Sequence, residues 1–382
     1  MIPYGKQDIS QDDINAVISV LRSDCLTQGP KVPEFEHAIC HYLGASHAVA
    51  VNSATSALHI ACLALGVGKG DKVWTSPITF VASANCALYC GAEIDFVDID
   101  PATGNMCPKA LAEKLQTTAK NGQLPKVVIP VHMAGHSCDM QAINNLLAQY
   151  DINIIEDASH AIGSQYQQNP IGQCQYSDIT IFSFHPVKII TTAEGGVATT
   201  NDKNLADNMR SLRSHGITKE PEKMLRPNEG DWYYEQHDLG MNYRMTDLNA
   251  ALGLSQLTRL NEFVSQRNQL TQEYEFRLKG LPIDIITPLL NSYSAWHLQI
   301  IRLHDASKRR MVFDAMRAAG IQVHVHYYPV HLQPYYLNLG FKAGDFKHAE
   351  KFYKHILTLP LYPGLEMAQV EYICSTLQAL IE

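Results

Sequence analysis

The sequence has no lysine- or arginine-rich run, and its 30 Lys and Arg are outnumbered by 38 Asp and Glu, for a formal net charge of −8. A chain of that sign offers no electrostatic footprint for a phosphate backbone, which excludes nucleic acid as the main partner. No apolar stretch is long enough to span a bilayer, and the opening MIPYGKQDIS lacks the basic and apolar regions of a secretory signal. The expectation is no membrane partner and a cytoplasmic location. Nine cysteines are scattered without a CxxC pair, and their number is odd. Ordinary thiols in a reducing compartment explain that better than a disulfide framework or a zinc site. There is no internal repeat, no low-complexity segment and no Walker sequence, since Gly68-Lys69-Gly70 lacks both the following Ser/Thr and the preceding spacing.

What is present is a chain of 382 residues, 46% hydrophobic and 18% charged, enough for two packed domains. Ser10 caps a helix whose first turn is acidic and whose Ile14, Val17, Ile18 and Leu21 recur at helical spacing. LTQGPKVP (26–33) reads as a turn-rich loop, followed by a second helix to Gly44. Strands and helices then alternate. Strands are expected at AVAVN (48–52), KVWTS (72–76), EIDFVDID (93–100), KVVIPVH (126–132), NIIED (153–157), TIFSF (180–184) and GVATT (196–200). Helices are expected at 53–66 and 79–91. Such alternation makes an α/β fold, a largely parallel sheet covered by helices on both faces. From Thr246 a 3/4 apolar spacing through Leu270 predicts one long helix bridging to a smaller α+β unit, with strands at 297–303 and 321–327, a helix at 307–319 and a last helix from about 366. The expected domains are 1–250 and 251–382, with 214–235 as a long loop.

Ligands of α/β sheets gather at the carboxyl ends of the strands, so the polar residues there are the candidates. After AVAVN, Ser53, Ala54, Thr55 and Ser56 open a helix with free N–H groups and hydroxyls, either a phosphate seat or a simple cap. After NII come Glu156 and Asp157. An acid ending a buried strand needs a cation, which a protonated ring nitrogen would supply; a helix cap is the plainer alternative. In SDITIFSFHPVKIITTAEGG, Lys188 lies between valine and isoleucine after Ser183, His185 and Pro186. Desolvation lowers the pKa of such an amine and arms it to form a Schiff base with an aldehyde, although a snorkelling lysine at a strand end has the same surroundings. Two rival patterns are weaker. VDIDPAT (97–103) resembles a phosphatase DxD loop with its threonine one residue late, and His324, His326 and His331 could ligate a metal but lack an acidic or cysteine partner nearby.

Taken together, a phosphate-type helix start, an aromatic Phe80, strand-end Asp157, and Ser183 with Lys188 compose a pyridoxal phosphate (PLP) pocket: anchor, stacking face, pyridinium partner and aldehyde-capturing amine. NSATSALHIA, PITFVASAN, EDASHAIG, FSFHPVKIITTAEGG and LGMNYRMTDLNAALG, in that order, resemble the DegT/DnrJ family of sugar aminotransferases across nearly the whole chain. IPYGKQDIS, SDCLTQGP and FSFHPVKIITT resemble most the branch that aminates C4 of a UDP-4-keto-6-deoxy-N-acetylhexosamine in pseudaminic acid biosynthesis. The resemblance implies a fold-type I PLP-dependent transferase with a seven-stranded sheet and a small C-terminal domain. It also implies a homodimer with shared active sites, and L-glutamate with a UDP-sugar as substrates. It implies that Lys188 is the Schiff-base lysine, Asp157 the pyridinium partner and Phe80 the stacking face. Ala54, Thr55 and Ser183 would cradle the phosphate, His160 would lie near the ring hydroxyl, and Asn242 would reach the partner's phosphate. Tyr4, the run Asp24, Cys25, Leu26, Thr27, and the run Val325, His326, Tyr327, Tyr328 resemble nucleotide-sugar contacts, with Ala54, Ser183 and Asn242 shared. Ala193 stands where many relatives have glycine, which matters if the backbone there needs positive φ. Another UDP- or dTDP-4-keto-6-deoxy sugar is the alternative substrate. A related dehydratase set, with histidine in place of the lysine, and a non-catalytic sugar-nucleotide or PLP-binding regulator are the alternative activities.

Overall fold

The computed structural model describes residues 1–382. Helices α1 (Gln11–Leu21) and α2 (Lys31–Leu43) precede β1 (His47–Val51), α3 (Ala54–Ala64), β2 (Lys72–Thr75), α4 (Ala82–Tyr89), β3 (Glu93–Phe96), α5 (Pro108–Ala119), β4 (Val127–Ile129), α6 (Met140–Leu147) and β5 (Asn153–Asp157). A small hairpin, β6 (Gln165–Tyr166) and β7 (Asn169–Pro170), leads to β8 (Ile179–Ser183), β9 (Gly196–Thr200) and α7 (Lys203–Leu212). Seven strands form one sheet in the order β1-β9-β8-β5-β4-β2-β3. Only β9 runs against its neighbours, so the sheet is mostly parallel, as the α/β alternation predicts.

Period-2 alternation sorts the strand side chains between two cores. Ile154, Phe182 and Val197 face the core shared with α2, α5 and α6, whereas Ile155, Ile181 and Ala198 face the core shared with α3, α4 and α7. By the same parity Asp157 and Ser183 point to the α3/α4 side, and Glu156 points to the opposite one. The register lines up Val51, Gly196 and Ser183 across β1, β9 and β8, with Asp157 beside Ile181 on β5. Asp157, Ser183 and the turn after β1 thus emerge at one end of the sheet.

Several elements differ from expectation. The strands at 93–100 and 126–132 end early, at Phe96 and Ile129, because the chain beyond them turns to bridge other segments. The 214–235 stretch carries the short pair β10 (Ile217–Thr218) and β11 (Glu235–Gln236). The single long helix is instead α8 (Asp247–Thr258) and α9 (Leu260–Arg277). They part at Arg259, φ −102° and ψ 2°, whose guanidinium binds Asp8 and buried Asp13, each at 2.6 Å. The bend lets α8 lie on α1 and α2 while the far half of α9 enters a second core. Thr246 caps α8, accepting from the Asn249 N–H at 3.2 Å.

That second core gathers Leu270 and Tyr274 of α9 with β12 (Ile283–Ile285), the short β13 (Ser292–Tyr293) intervening before β14 (Gln299–Leu303), and α10 (Arg309–Ala318). After α11 (Pro334–Leu337) and α12 (Lys347–His355), β15 (Ile356–Leu359) completes the antiparallel sheet β12-β14-β15, and α13 (Met367–Ile381) covers it. Ile2 joins this core, tied by its N–H to Gly320 O at 2.8 Å. Residues 321–327, expected as a strand, make only isolated bridges at Ile321 and His324. Val323 packs inward, while His324 and His326 line a cavity shared with the first unit.

Candidate active site

At the edge where β1, β5 and β8 end lies a cavity of ≈ 350 Å³. Its walls include Ala54, Thr55, Phe80, Asp157, His160, Ser183 and Lys188 from the large sheet's loops, and Tyr4, His326 and Tyr327 from the second unit's side. Ten of the sequence-derived candidates therefore meet in one place.

Lys188 sits on a loop pinched shut behind β8. Phe184 N–H donates to Gly195 O at 2.9 Å, and Phe184 O accepts from Thr192 N–H and from the Thr191 hydroxyl. Burial pushes the Lys188 amine down to about 8, against the opposing pull of the Asp157 charge. Ala193, on the same loop, has φ +65°, so the backbone there does adopt the left-handed conformation that glycine tolerates best.

Asp157 is 4% exposed and held by three donors. Its Oδ2 accepts from Ser83 Oγ at 2.6 Å, and its Oδ1 accepts from Ser159 Oγ at 2.6 Å and Ser159 N–H at 3.1 Å. A carboxylate has about four acceptor positions, so the arrangement keeps one for a cation in the cavity. Glu156, on the opposite face, has a different task. It accepts from His132 Nε2 at 2.7 Å and from the Ser177 hydroxyl, which ties the end of β5 to the segment after β4.

The start of α3 leaves two backbone amides free. Ser53 caps it by accepting from Ser56 N–H at 3.1 Å, and the Ala54 and Thr55 amides, one residue in, make no bond to protein acceptors. Gly196 lets β9 approach this turn, since a Cβ there would lie 2.5 Å from the Ala54 nitrogen. His160 is buried, its Nε2 3.2 Å from the Tyr327 hydroxyl and its Nδ1 without a partner. Burial, then Lys188 and His326, push its pKa well down, so the ring is neutral. Phe80 is 58% exposed, its ring 6.4 Å from that of Tyr327.

On the second unit's side Tyr4 packs its ring against His324 and His326, at 5.4 and 5.5 Å. His326 Nδ1 meets the Thr358 hydroxyl at 2.9 Å, and burial with His324 and Lys188 pushes its pKa down to about 3. His331 lies elsewhere, against Glu350 and Phe346, so the three histidines weighed as rival metal ligands do not converge on one point.

Asp24, Cys25, Leu26, Thr27 and Asn242 do not line the cavity, nor do Val325 and Tyr328. The first five lie near one another on the surface. Thr27 bridges Thr246, Leu26 O accepts from Asp247 N–H at 3.1 Å, and Asn242 bridges Ser214. Sequence reasoning missed Thr79, Ser83, Ser159 and Glu194. Thr79 and Ser83 flank Phe80 at i, i+4 spacing, a signal that was there to be read.

The residues fit pyridoxal phosphate: free helix-start amides for a phosphate, an armed amine, a carboxylate with one acceptor position left, and an orphaned His160 Nδ1. The sequence model of the DegT/DnrJ/EryC1/StrS aminotransferase family matches residues 7–378. The chain is 38% identical over 387 residues, all of it and 98% of the relative, to the UDP-4-amino-4,6-dideoxy-N-acetyl-beta-L-altrosamine transaminase of Campylobacter jejuni. It is 37% identical over 388 residues to the spore coat polysaccharide biosynthesis protein SpsC of Bacillus subtilis, covering 97% of that protein. Among solved structures it resembles Helicobacter pylori PseC, an aminotransferase involved in the biosynthesis of pseudoaminic acid, with TM-score 0.91, 32% identity, and 100% and 99% of the two chains covered. Spr1654 of Streptococcus pneumoniae, solved in PLP and PMP forms, is similar at TM-score 0.90 and 31% identity, covering at least 99% of this chain and 98% of that one.

Proposed function

Because this chain belongs to the DegT/DnrJ/EryC1/StrS aminotransferase family, a PLP-dependent family, we propose that it moves the amino group of L-glutamate to C4 of a UDP-4-keto-6-deoxy-N-acetylhexosamine, in pseudaminic acid biosynthesis. The observation that carries the reading is the pairing of a depressed-pKa amine, Lys188, with three-fold-anchored Asp157 in one cavity beside a helix start. The cofactor, when bound, supplies an electron sink and a carrier for the amino group.

The chain's residues do the rest. Ala54 and Thr55 amides with the Ser183 hydroxyl would bind the phosphate, Phe80 would cover the ring, and Asp157 would keep its nitrogen protonated. His160, neutral and already bonded through Nε2, has Nδ1 for the ring hydroxyl. Lys188 Nζ would hold the cofactor's aldehyde carbon and, as a free amine, would take the donor's α-proton and return it on the far side of the transferred nitrogen. In the second half the same amine runs the transfer backward on the sugar ketone. Tyr4, His326 and Tyr327 would orient the sugar, and binding of the remote UDP would hold C4 in place.

The surface group of Asp24 to Thr27 and Asn242 would complete a partner's cavity in a homodimer. Exposed Leu225, Trp232 and Leu239 on the neighbouring segment favour burial against a second copy. No helix is long and apolar enough to cross a membrane, and thiol-rich chains of this kind suit the cytoplasm.

A panel of UDP- and dTDP-4-keto-6-deoxy sugars incubated with glutamate, with products identified by mass spectrometry, tests the substrate. The UDP-N-acetyl sugar should gain one amino group, and Lys188→Ala should abolish it. Amination only of dTDP sugars would reject the substrate, and turnover by the alanine variant would reject the lysine. Mixing Lys188→Ala with Asn242→Ala chains should restore activity if the sites are shared.

A further inference from the structure

The loop and first turn that carry Phe80 also carry two buried hydroxyls that the cofactor pocket does not obviously need. Thr79 is 3% exposed and Ser83 1%, and their oxygens are 2.8 Å apart. Ser83 Oγ is 2.6 Å from Asp157 Oδ2, far shorter than the 3.4 Å to the carbonyl acceptor Phe80 O. An ionised carboxylate only accepts, and a hydroxyl has one proton to give. Ser83 therefore gives its proton to Asp157, and the oxygen it leaves can only accept from Thr79. The direction of the whole chain, Thr79 to Ser83 to Asp157, is set by the charge at its end.

We propose that Thr79 and Ser83 are positioning residues: an ordered hydroxyl chain that locks the Asp157 carboxylate so that its one remaining acceptor position faces the cofactor ring nitrogen. The inference rests on the reading of Asp157 given above. Ser83 does not line the cavity; Thr79 does but, having spent its proton on Ser83, offers the cavity lone pairs alone. Each bond in such a chain polarises the next. Ser159 fixes the other carboxylate oxygen, so rotation about the Asp157 side chain is blocked from both sides. The same α4 start places Phe80, which ties the stacking face and the ring partner to one rigid turn.

The test is a double-mutant cycle on affinity for pyridoxamine phosphate, which cannot bond covalently to Lys188, read by fluorescence quenching of the protein stripped of cofactor. Ser83→Ala should weaken binding roughly tenfold, the loss of one hydrogen bond to a charged group, and Thr79→Val by a smaller factor. Ser83→Thr and Thr79→Ser, which keep the hydroxyls, should bind as the parent does. In an Asp157→Ala background Ser83→Ala should change affinity less than about twofold, because the carboxylate through which it acts is gone. An equal loss in both backgrounds means a merely structural serine and overturns the proposal, as does no loss in either. Should Ser83→Ala fail to fold, judged by thermal unfolding of the stripped protein, Ser83→Cys, a near-isostere with a weak donor, takes its place under the same criteria. If Asp157→Ala alone leaves affinity unchanged, it is the ring-partner reading that fails; if Asp157→Ala weakens binding and Ser83→Ala does not, the hydroxyl chain alone falls.

Discussion

The sharpest physical consequence of the site is the reactivity of the Lys188 amine before any cofactor is bound. Burial drives its pKa from 10.5 to about 8, and the nearby Asp157 charge pulls the other way without winning. At pH 7 an ordinary lysine is about 0.03% free base, whereas one titrating at about 8 is about 9%, a roughly 300-fold gain in the nucleophilic form. The assay is competitive acylation of the stripped protein across pH 6 to 11 (on the order of ten points), with the labelled peptides quantified by mass spectrometry. Labelling of Lys188 should rise with pH, bend near 8 and then level off.

Removing the opposing charge refines the expectation. In Asp157→Asn the carboxylate no longer favours the ammonium form, so the bend should move below 8. Lys188 then becomes more reactive at neutral pH even as the loaded enzyme slows. A bend near 10.5 in the parent would refute the desolvation argument outright. A bend that moves upward on losing Asp157 would show that the two groups do not face each other.

Three other perturbations follow from the geometry. Gly196→Ala drives a Cβ to 2.5 Å from Ala54 N and 2.6 Å from Ser53 C; overpacking of about 1–3 kcal/mol should appear as weaker inorganic phosphate and cofactor binding, and unchanged affinities would remove the close approach from the design of the anion seat. His132→Ala strips a donor from buried Glu156 and should cost about 3 kcal/mol in urea unfolding. Burial alone would raise the Glu156 pKa, but bonds from His132, Ser177 and Thr180 outweigh it and hold it below the usual value. Its stabilisation is therefore full above the unfolded carboxylate pKa and lost as pH falls through the lower folded one, and in the variant that loss should begin at higher pH. Ala193→Gly relieves a residue at φ +65°: a left-handed cost of about 1–2 kcal/mol is returned, less about 0.4–1 kcal/mol of added unfolded-state freedom. The net gain should raise the urea midpoint, and a fall would show that the loop does not need glycine's freedom.

Much of this fold is readable because its signals are local. Ser10 capping α1, Thr246 capping α8 and the buried runs of β5, β8 and β9 each declare themselves within a few residues. The misreadings come from contacts distant in sequence. Nothing near Arg259 announces a break, since the cause is Asp8 and Asp13 on the far side of the chain. Residues 321–327 have a strand's alternation, yet they spend it on Ile2 and on a cavity wall rather than on a ladder.

The site divides along the same line. Lys188, Asp157 and the α3 start stand out in the sequence because strand ends collect ligands and because an amine, a carboxylate and a run of small residues opening a helix each announce their chemistry locally. Ser83 cannot be found that way: it does not line the cavity, and its partner is an oxygen 2.6 Å away on a strand 74 residues later. The adjacent acids Glu156 and Asp157 make the point most clearly. Neighbours in the sequence, they are parted by strand parity, which sends one to His132 on the far face and the other into the cavity. Their roles could be exchanged only by slipping β5 one residue against β8, which would also turn Ile154 and Ile155 into the wrong cores. The choice of cavity acid and the hydrophobic register are thus a single constraint here: the packing of β5 decides which of the two acids faces the cavity.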